Sequence, residues 1–265
     1  LTRKNSKASD SRIPGKHRKD GGPVRDEGAY SIDGMTGLDE FLRFRPSAIK
    51  EVTCKSSVRS KVEHLMRAAG AAELIRGVKT NDQSEHAVRF SVKLDYLDET
   101  VAFDRWKNRT HDLIVATDQV TDARNFGAIA RSCAFFGVKE ILIQNRRQVG
   151  ITASSVGTAQ GGFALTDVVS VTNLGRTIED LKELGYWIIG ADMNGEAPDK
   201  IAGFYEKSVL VLGSEDSGIS RLVAEKCDRI VAIVGAEQSV ESLNVSVAAG
   251  ILLHSFAAKA LQKMR

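Results

Sequence analysis

The sequence predicts an α/β fold, a parallel sheet with helices on both faces preceded by a small amino-terminal α/β unit. Three observations carry this. From His111 onward, short and nearly continuous apolar runs alternate with amphipathic stretches, the pattern of strands buried on both faces between helices. Two of those stretches stop at Gly137 and Gly185, the residue type that ends a helix in the left-handed conformation. A length of 265 residues, 42% hydrophobic and 27% charged, suits one large domain or two small ones with a real core.

In chain order, residues 1–34 read as a basic tail. Residues 1–30 hold eight Lys and Arg against four acids, so this segment carries +4 and the rest of the chain −1 of the net +3. A basic, apolar-poor stretch buries too little surface to offset its ordering entropy and is expected to be disordered. It serves either solubility or contact with nucleic acid phosphates. Tyr30–Gly37 reads as a transition zone. The small unit spans 35–98. A helix with Leu38, Phe41 and Leu42 on one face stops at Pro46, Ala48–Cys54 follows as a strand, and Arg59–Ala71 is a helix with Val62, Leu65 and Met66 in line. A short strand and a third helix are expected before the strand at Ala87–Val92, and 99–110 reads as a linker with a short helical piece.

The large domain spans 111–265. Strands are expected at Leu113–Thr117, Val138–Gln144, Val168–Val171, Trp187–Ala191, Val209–Leu212 and Ile230–Val234. Helices are expected at Arg124–Phe136, Thr152–Gln160 and Leu174–Leu184, with a long final one at Leu243–Leu261.

Composition removes several function classes. No apolar run reaches the ~18–20 residues of a membrane span, and the first residues lack the apolar segment of a secretory leader. Cys54, Cys133 and Cys227 lie far apart without CxxC spacing, and the five histidines form no ligand pair, so neither a disulfide framework nor a metal site is expected. The expected compartment is the cytoplasm.

Ligands of open α/β sheets bind at the carboxyl ends of strands, and three loops there are distinctive. After the 113–117 strand comes Asp118–Arg131, with Asn125 as a candidate helix cap, Gly127 allowing close backbone approach, and Arg131 either an ion-paired surface residue or a phosphate grip. After the 209–212 strand comes Gly213-Ser-Glu-Asp-Ser-Gly, where Glu215 either caps the next helix or holds substrate. It lacks the P-loop pattern, and no GxGxxG follows the first strand, which disfavours a dinucleotide enzyme. The third loop is Val240-Glu-Ser-Leu-Asn-Val-Ser, where Ser242 is a candidate N-cap and Asn244 is a poor helix former whose side chain has work elsewhere. Ala248, Ala249 and Gly250 let that helix pack closely.

Together the three loops resemble the motifs of the SpoU/TrmH family of the SPOUT class of RNA methyltransferases. The first, Asn-x-Gly-x-x-x-Arg, matches Asn125, Gly127 and Arg131; the second, Gly-x-Glu-x-x-Gly, matches Gly213, Glu215 and Gly218; the third, Ser-Leu-Asn-Val-Ser-x-Ala, matches Ser242–Ala248. The likeness covers about 111–262, and residues 37–95 resemble, more loosely, the L30e-like substrate-binding domain of many members.

The resemblance implies a deep trefoil knot, a homodimer with the active site across its interface, and methyl transfer from S-adenosylmethionine to a ribose 2′-hydroxyl of RNA, rRNA before tRNA. No metal is implied. Catalytic residues would be Asn125, Arg131, Glu215, Ser242 and Asn244. The cofactor would lie against Leu212, Gly213, Ser214, Gly218, Ile233, Val234, Ala236, Ser242 and Leu243. An arginine with a pKa above ~12 is a poor base, so Arg131 is assigned to phosphate positioning and charge stabilisation. Many relatives carry Ile-Pro-Met where this chain has Val234-Gly235-Ala236. Gly235 lacks proline's rigidity. With the basic tail, it motivates a second reading, a catalytically weak or inactive RNA-binding or ribosome-assembly protein on the same fold.

Overall fold

The computed structural model describes residues 28–198, 207–236 and 242–263. The expected tail falls mostly on residues 1–27, outside the described residues. Residues 199–206 and 237–241 also lie outside them.

The small unit runs β1 (Tyr30–Asp33), α1 (Met35–Phe44), a 3-10 turn at Pro46–Ala48, β2 (Ile49–Cys54), α2 (Ser56–Ala68), a 3-10 turn at Ala72–Gly77, β3 (Lys79–Thr80) and β4 (Val88–Val92). Its sheet order is β1-β4-β2-β3, with β4 antiparallel to both β1 and β2. Leu38, Phe41 and Leu42 are buried on α1 as their spacing predicts, and Phe41 meets Phe90 of β4 edge-on at 5.7 Å. Two expectations need correction. Tyr30–Asp33 is a strand of this sheet rather than part of a tail or transition zone, since β4 supplies its hydrogen-bond partners. No third α-helix follows Ala72. The segment holds a 3-10 turn and a two-residue strand, which leaves no length for a helix before β4.

The large unit continues with α3 (Glu99–Lys107), β5 (Asp112–Thr117), α4 (Ala123–Phe135), β6 (Glu140–Gln144), α5 (Ala153–Ala159), α6 (Gly162–Leu165) and β7 (Asp167–Val171). It is completed by α7 (Leu174–Glu183), β8 (Trp187–Glu196), β9 (Lys207–Leu212), α8 (Arg221–Ala224), β10 (Arg229–Val231) and α9 (Val245–Lys263). The sheet order is β10-β8-β9-β5-β6-β7 and every pairing is parallel. The short helix α6 was not expected from the sequence, and α8 is the helix expected after the Gly213–Gly218 loop.

Strand side chains alternate between two cores. Val115, Ile141, Ile143, Leu210 and Leu212 face one side, with Phe126, Ile129, Val156 and Leu252 from α4, α5 and α9. Ile114, Leu142, Val209 and Val211 face the other, with Trp106, Ile178, Leu181 and Val223 from α3, α7 and α8. Each fully buried Leu or Ile stabilises the fold by about 1.5–3 kcal/mol. The first core runs without a break into Leu38, Phe41 and Phe90 of the small unit. The expected linker is therefore part of the large unit, because α3 buries Ala102 and Trp106 on the sheet.

The amino ends of the strands carry an ion network. Buried Glu140 of β6 receives Arg109 (Nη2 to Oε1, 2.7 Å) and Arg109 also donates to Asp112 of β5 at 3.0 Å. The Glu140 carboxylate holds the Arg109 guanidinium above its ordinary pKa. Arg105 of α3 pairs with Asp167 of β7 at 2.9 Å, and Arg45 of the small unit pairs with the same carboxylate.

Among the described residues, no helix is long and apolar enough to cross a membrane, and no group of three or more His, Cys, Asp and Glu is placed to hold a metal ion. Cys54, Cys133 and Cys227 are free thiols.

Candidate active site

The opposite edge of the sheet, at the carboxyl ends of β5, β8 and β9, gathers the distinctive loops. Asp118, buried just past β5, ties two of them together. Its N–H donates to the Leu212 carbonyl at 2.8 Å, and its Oδ2 accepts the Ser220 N–H at 2.8 Å. The cap of α4 is Asp122 rather than Asn125: its Oδ1 accepts the N–H groups of Arg124 (2.7 Å) and Asn125 (3.1 Å). Those bonds, that from Asn125 foremost, pull the Asp122 carboxyl below its ordinary pKa. Gly127 does permit close backbone approach, but to α5, where an added Cβ would overlap the Ser155 carbonyl and sit 2.8 Å from Thr158 Cβ.

With the cap at Asp122, the Asn125 side chain is released toward the other loops. Its Nδ2 donates to Oε1 of Glu215, and its Oδ1 accepts from Nδ2 of Asn244 at 3.1 Å. The Asn244 Nδ2 also reaches Glu215 Oε1 at 3.1 Å. Asn244, not Ser242, caps α9: its carbonyl accepts the Ala248 N–H and its Oδ1 accepts the N–H of Ser246, each at 3.0 Å. The poor helix former thus sits just outside the helix, with both ends of its amide in use. Glu215, open to two readings in the sequence, caps nothing and joins the two amides.

Beside this cluster lies a pocket of about 470 Å³. Among the expected cofactor residues, Leu212, Gly213, Ser214, Gly218, Ile233, Ser242 and Leu243 line it. Val234, 74% exposed, and Ala236 do not. The loop after β9 closes on itself through Ser214 N–H to Gly218 O (2.9 Å) and Gly218 N–H to Ser214 O (3.0 Å). Gly218 takes a φ of +64°, and a Cβ on Gly213 would overlap the Gly218 backbone, so both glycines are required there. One wall was missed by sequence reasoning: β8 extends five residues past its expected end and brings Asp192, Met193 and Asn194 to the pocket. Their place at the carboxyl end of a central strand was the available signal.

Arg131 stands apart from the cluster. It is exposed on α4, six residues beyond Asn125 and turned to a different helix face. It lines a second cavity of about 410 Å³ shared with Glu40 and Phe44 of α1 and with Gln160 and Gly161. Among the described residues it makes no hydrogen bond or ion pair. Burial raises the Glu40 carboxyl, an effect that Arg131 opposes and Asp39 reinforces.

The chain's likeness to known proteins concentrates on the large unit. The profile of the SpoU rRNA Methylase family matches residues 112–254. A relative from Mycolicibacterium gilvum, named an uncharacterized tRNA/rRNA methyltransferase, is 44% identical over 146 residues, 55% of this chain and 46% of the relative. The chain spans about half the length of the curated relatives it matches. Among solved structures, the SpoU methyltransferase AviRb from Streptomyces viridochromogenes, in complex with AdoMet, superposes with a TM-score of 0.72 at 19% identity over 89% of this chain and 92% of that one. An AdoMet-bound rRNA methyltransferase from Sinorhizobium meliloti gives 0.66 at 18% identity over 88% of each. Both likenesses include the small unit, and both are likenesses of fold.

Proposed function

The chain belongs to the SpoU rRNA methylase family, and on that premise we propose that it methylates a ribose 2′-hydroxyl of RNA, rRNA before tRNA, using S-adenosylmethionine. The observation that carries the reading is the hydrogen-bonded cluster of Asn125, Glu215 and Asn244 beside the pocket at the ends of β8 and β9.

The residues of that pocket suit the cofactor. Its volume falls within the range of small-molecule sites. Leu212, Ile233 and Leu252 offer apolar surface to a base, and Asp192, Glu215 and Asp216 complement a ligand that carries positive charge. Bound there, S-adenosylmethionine would supply a methyl group already activated by its sulfonium, so the protein's share of the work is positioning and electrostatics. The two amides fix the Glu215 carboxylate, and with it the loop that forms one wall. Among the described residues Arg131 is a cation without a hydrogen-bond or ion-pair partner, suited to a substrate phosphate. It lies in the neighbouring cavity, and an active site that uses both features is completed by a second copy of the chain. Val247 and Ile251, exposed one turn apart on α9, with exposed Leu243 just before the helix, provide an apolar stripe for that contact.

The test is methyl transfer from labelled S-adenosylmethionine to total RNA of a strain lacking the gene, followed by alkaline hydrolysis. Label in alkali-resistant dinucleotides is the expected result, since a 2′-O-methyl blocks cleavage. Label confined to mononucleotides would place the methyl on a base, and RNA without label would favour a binding protein.

A further inference from the structure

The cavity around Arg131 is built from both units and holds two opposite charges that do not meet. Glu40 projects from α1 and Arg131 from α4. They face the same space of about 410 Å³, close enough for Arg131 to act on the Glu40 carboxyl, yet they do not close into an ion pair. Neither has a hydrogen-bond partner among the described residues. The Glu40 carboxylate lies directly over Gly161, so closely that a Cβ there would overlap it. Gln160, beside it, takes a φ of +51°, a conformation non-glycine residues adopt at a cost and which concentrates at binding sites. Phe44 and Phe135, 57% and 82% exposed, also line the cavity.

A half-buried carboxylate and a guanidinium, separated by an unfilled space, call for a ligand with an anion at one end and hydrogen-bond donors at the other. Exposed aromatic rings add faces on which a base can stack. An RNA nucleotide has all three. We propose that this cavity receives a guanosine nucleotide of the RNA substrate. Arg131 meets its phosphate, and Glu40 accepts from the adjacent N1–H and N2–H of the base. An ionised carboxylate only accepts hydrogen bonds. Guanine alone among the four bases presents two neighbouring donors on its Watson–Crick edge, whereas adenine and cytosine set an acceptor beside one donor and uracil flanks its donor with two acceptors. The inference rests on the RNA-methyltransferase reading and adds to it a residue that selects the base.

The test is a fluorescence-anisotropy titration of the full chain with labelled heptaribonucleotides, three uridines on each side of a central guanosine, inosine or adenosine. Guanosine should bind about tenfold tighter than adenosine, the factor a two-point base contact supplies. Inosine, without the N2 amino group, should fall between them. Glu40→Gln should remove the preference by weakening only the guanosine oligomer, and Gly161→Ala, which displaces the same carboxylate, should do likewise. Free guanosine monophosphate should not compete at concentrations where the oligomer binds. Equal binding of guanosine and adenosine, a preference that survives both substitutions, or no binding of any oligomer would overturn the inference. So would competition by the free nucleotide, which would make this a small-molecule site. If those results came with methyl transfer to RNA intact, the enzyme assignment would stand and only the base-reading role would fall; loss of transfer by the unmodified chain would remove the assignment itself.

Discussion

At the scale of single residues, Asn244 has two separable duties. Its Oδ1 and carbonyl start α9, while its Nδ2 joins Asn125 and Glu215. Asn244→Ala should lose both, at a stability cost of about 1 kcal/mol for the cap. Asn244→Asp keeps the capping oxygen but faces Glu215 with a second carboxylate. It should melt close to the unmodified chain while methyl transfer falls at least ~tenfold, as expected for lost preorganisation; equal activity of the two proteins would show that the amide donor is dispensable. Arg109 is a different case, since it neutralises a fully buried carboxylate. Arg109→Met should cost about 3 kcal/mol in a denaturant titration, most of it from leaving the buried Glu140 carboxylate with only the longer contact to Arg105 at 3.5 Å. Replacing Glu140 by Gln in the same chain should recover a large part.

At the scale of elements, the start of α4 links stability to pH. Because backbone N–H groups hold Asp122 in its ionised form, its folded pKa lies below its unfolded one. Its contribution is therefore present above the unfolded value of ~3.9 and disappears as pH falls through the folded value. Melting curves of Asp122→Asn should show a shallower decline below about pH 4 than those of the unmodified chain. Superimposable pH profiles would mean that the cap does not titrate in this range.

The sequence made the large sheet legible because a strand buried on both faces is an apolar run and little else, as at Leu113–Thr117 and Val209–Leu212. It hid β1, whose four residues hold only two buried apolar side chains and depend on β4 for their bonds. It hid the role of α3 for a similar reason, since only Ala102 and Trp106 are buried on that helix. Within the site, Asn125, Glu215 and Asn244 were named by the resemblance to the family motifs, while the residues alone made Asn125 a cap and left Glu215 open. That Asp122 and Asn244 are the caps was not, because several cap-competent residues stand in a row and only the backbone geometry chooses among them. The six-residue separation already turns Arg131 to another helix face than Asn125, but the motif says nothing of what α1 brings beside it.

At the scale of the whole molecule, the apolar stripe of α9 bears on assembly. Val247→Glu places a charge in the middle of the proposed contact. It should shift the mass measured by light scattering from two chains to one and reduce transfer, while melting changes little because Val247 is half exposed in the single chain. A single-chain mass for the unmodified protein would require Arg131 and the pocket at β8 and β9 to serve separate purposes.

The unbroken core between the small and large units sets a limit on how such a protein diversifies. Leu38, Phe41 and Phe90 share one packed interior with Phe126 and Phe163, and Arg45 is fastened to Asp167. Close-packed interiors tolerate little mismatch. The amino-terminal unit is thus not a detachable module that recombination can exchange as a cassette. If the cavity at α1 reads RNA as proposed, a new target preference is more readily reached through point changes on the exposed side of α1 than by transplanting another amino-terminal unit, whose underside would have to fit α6 and the start of β7.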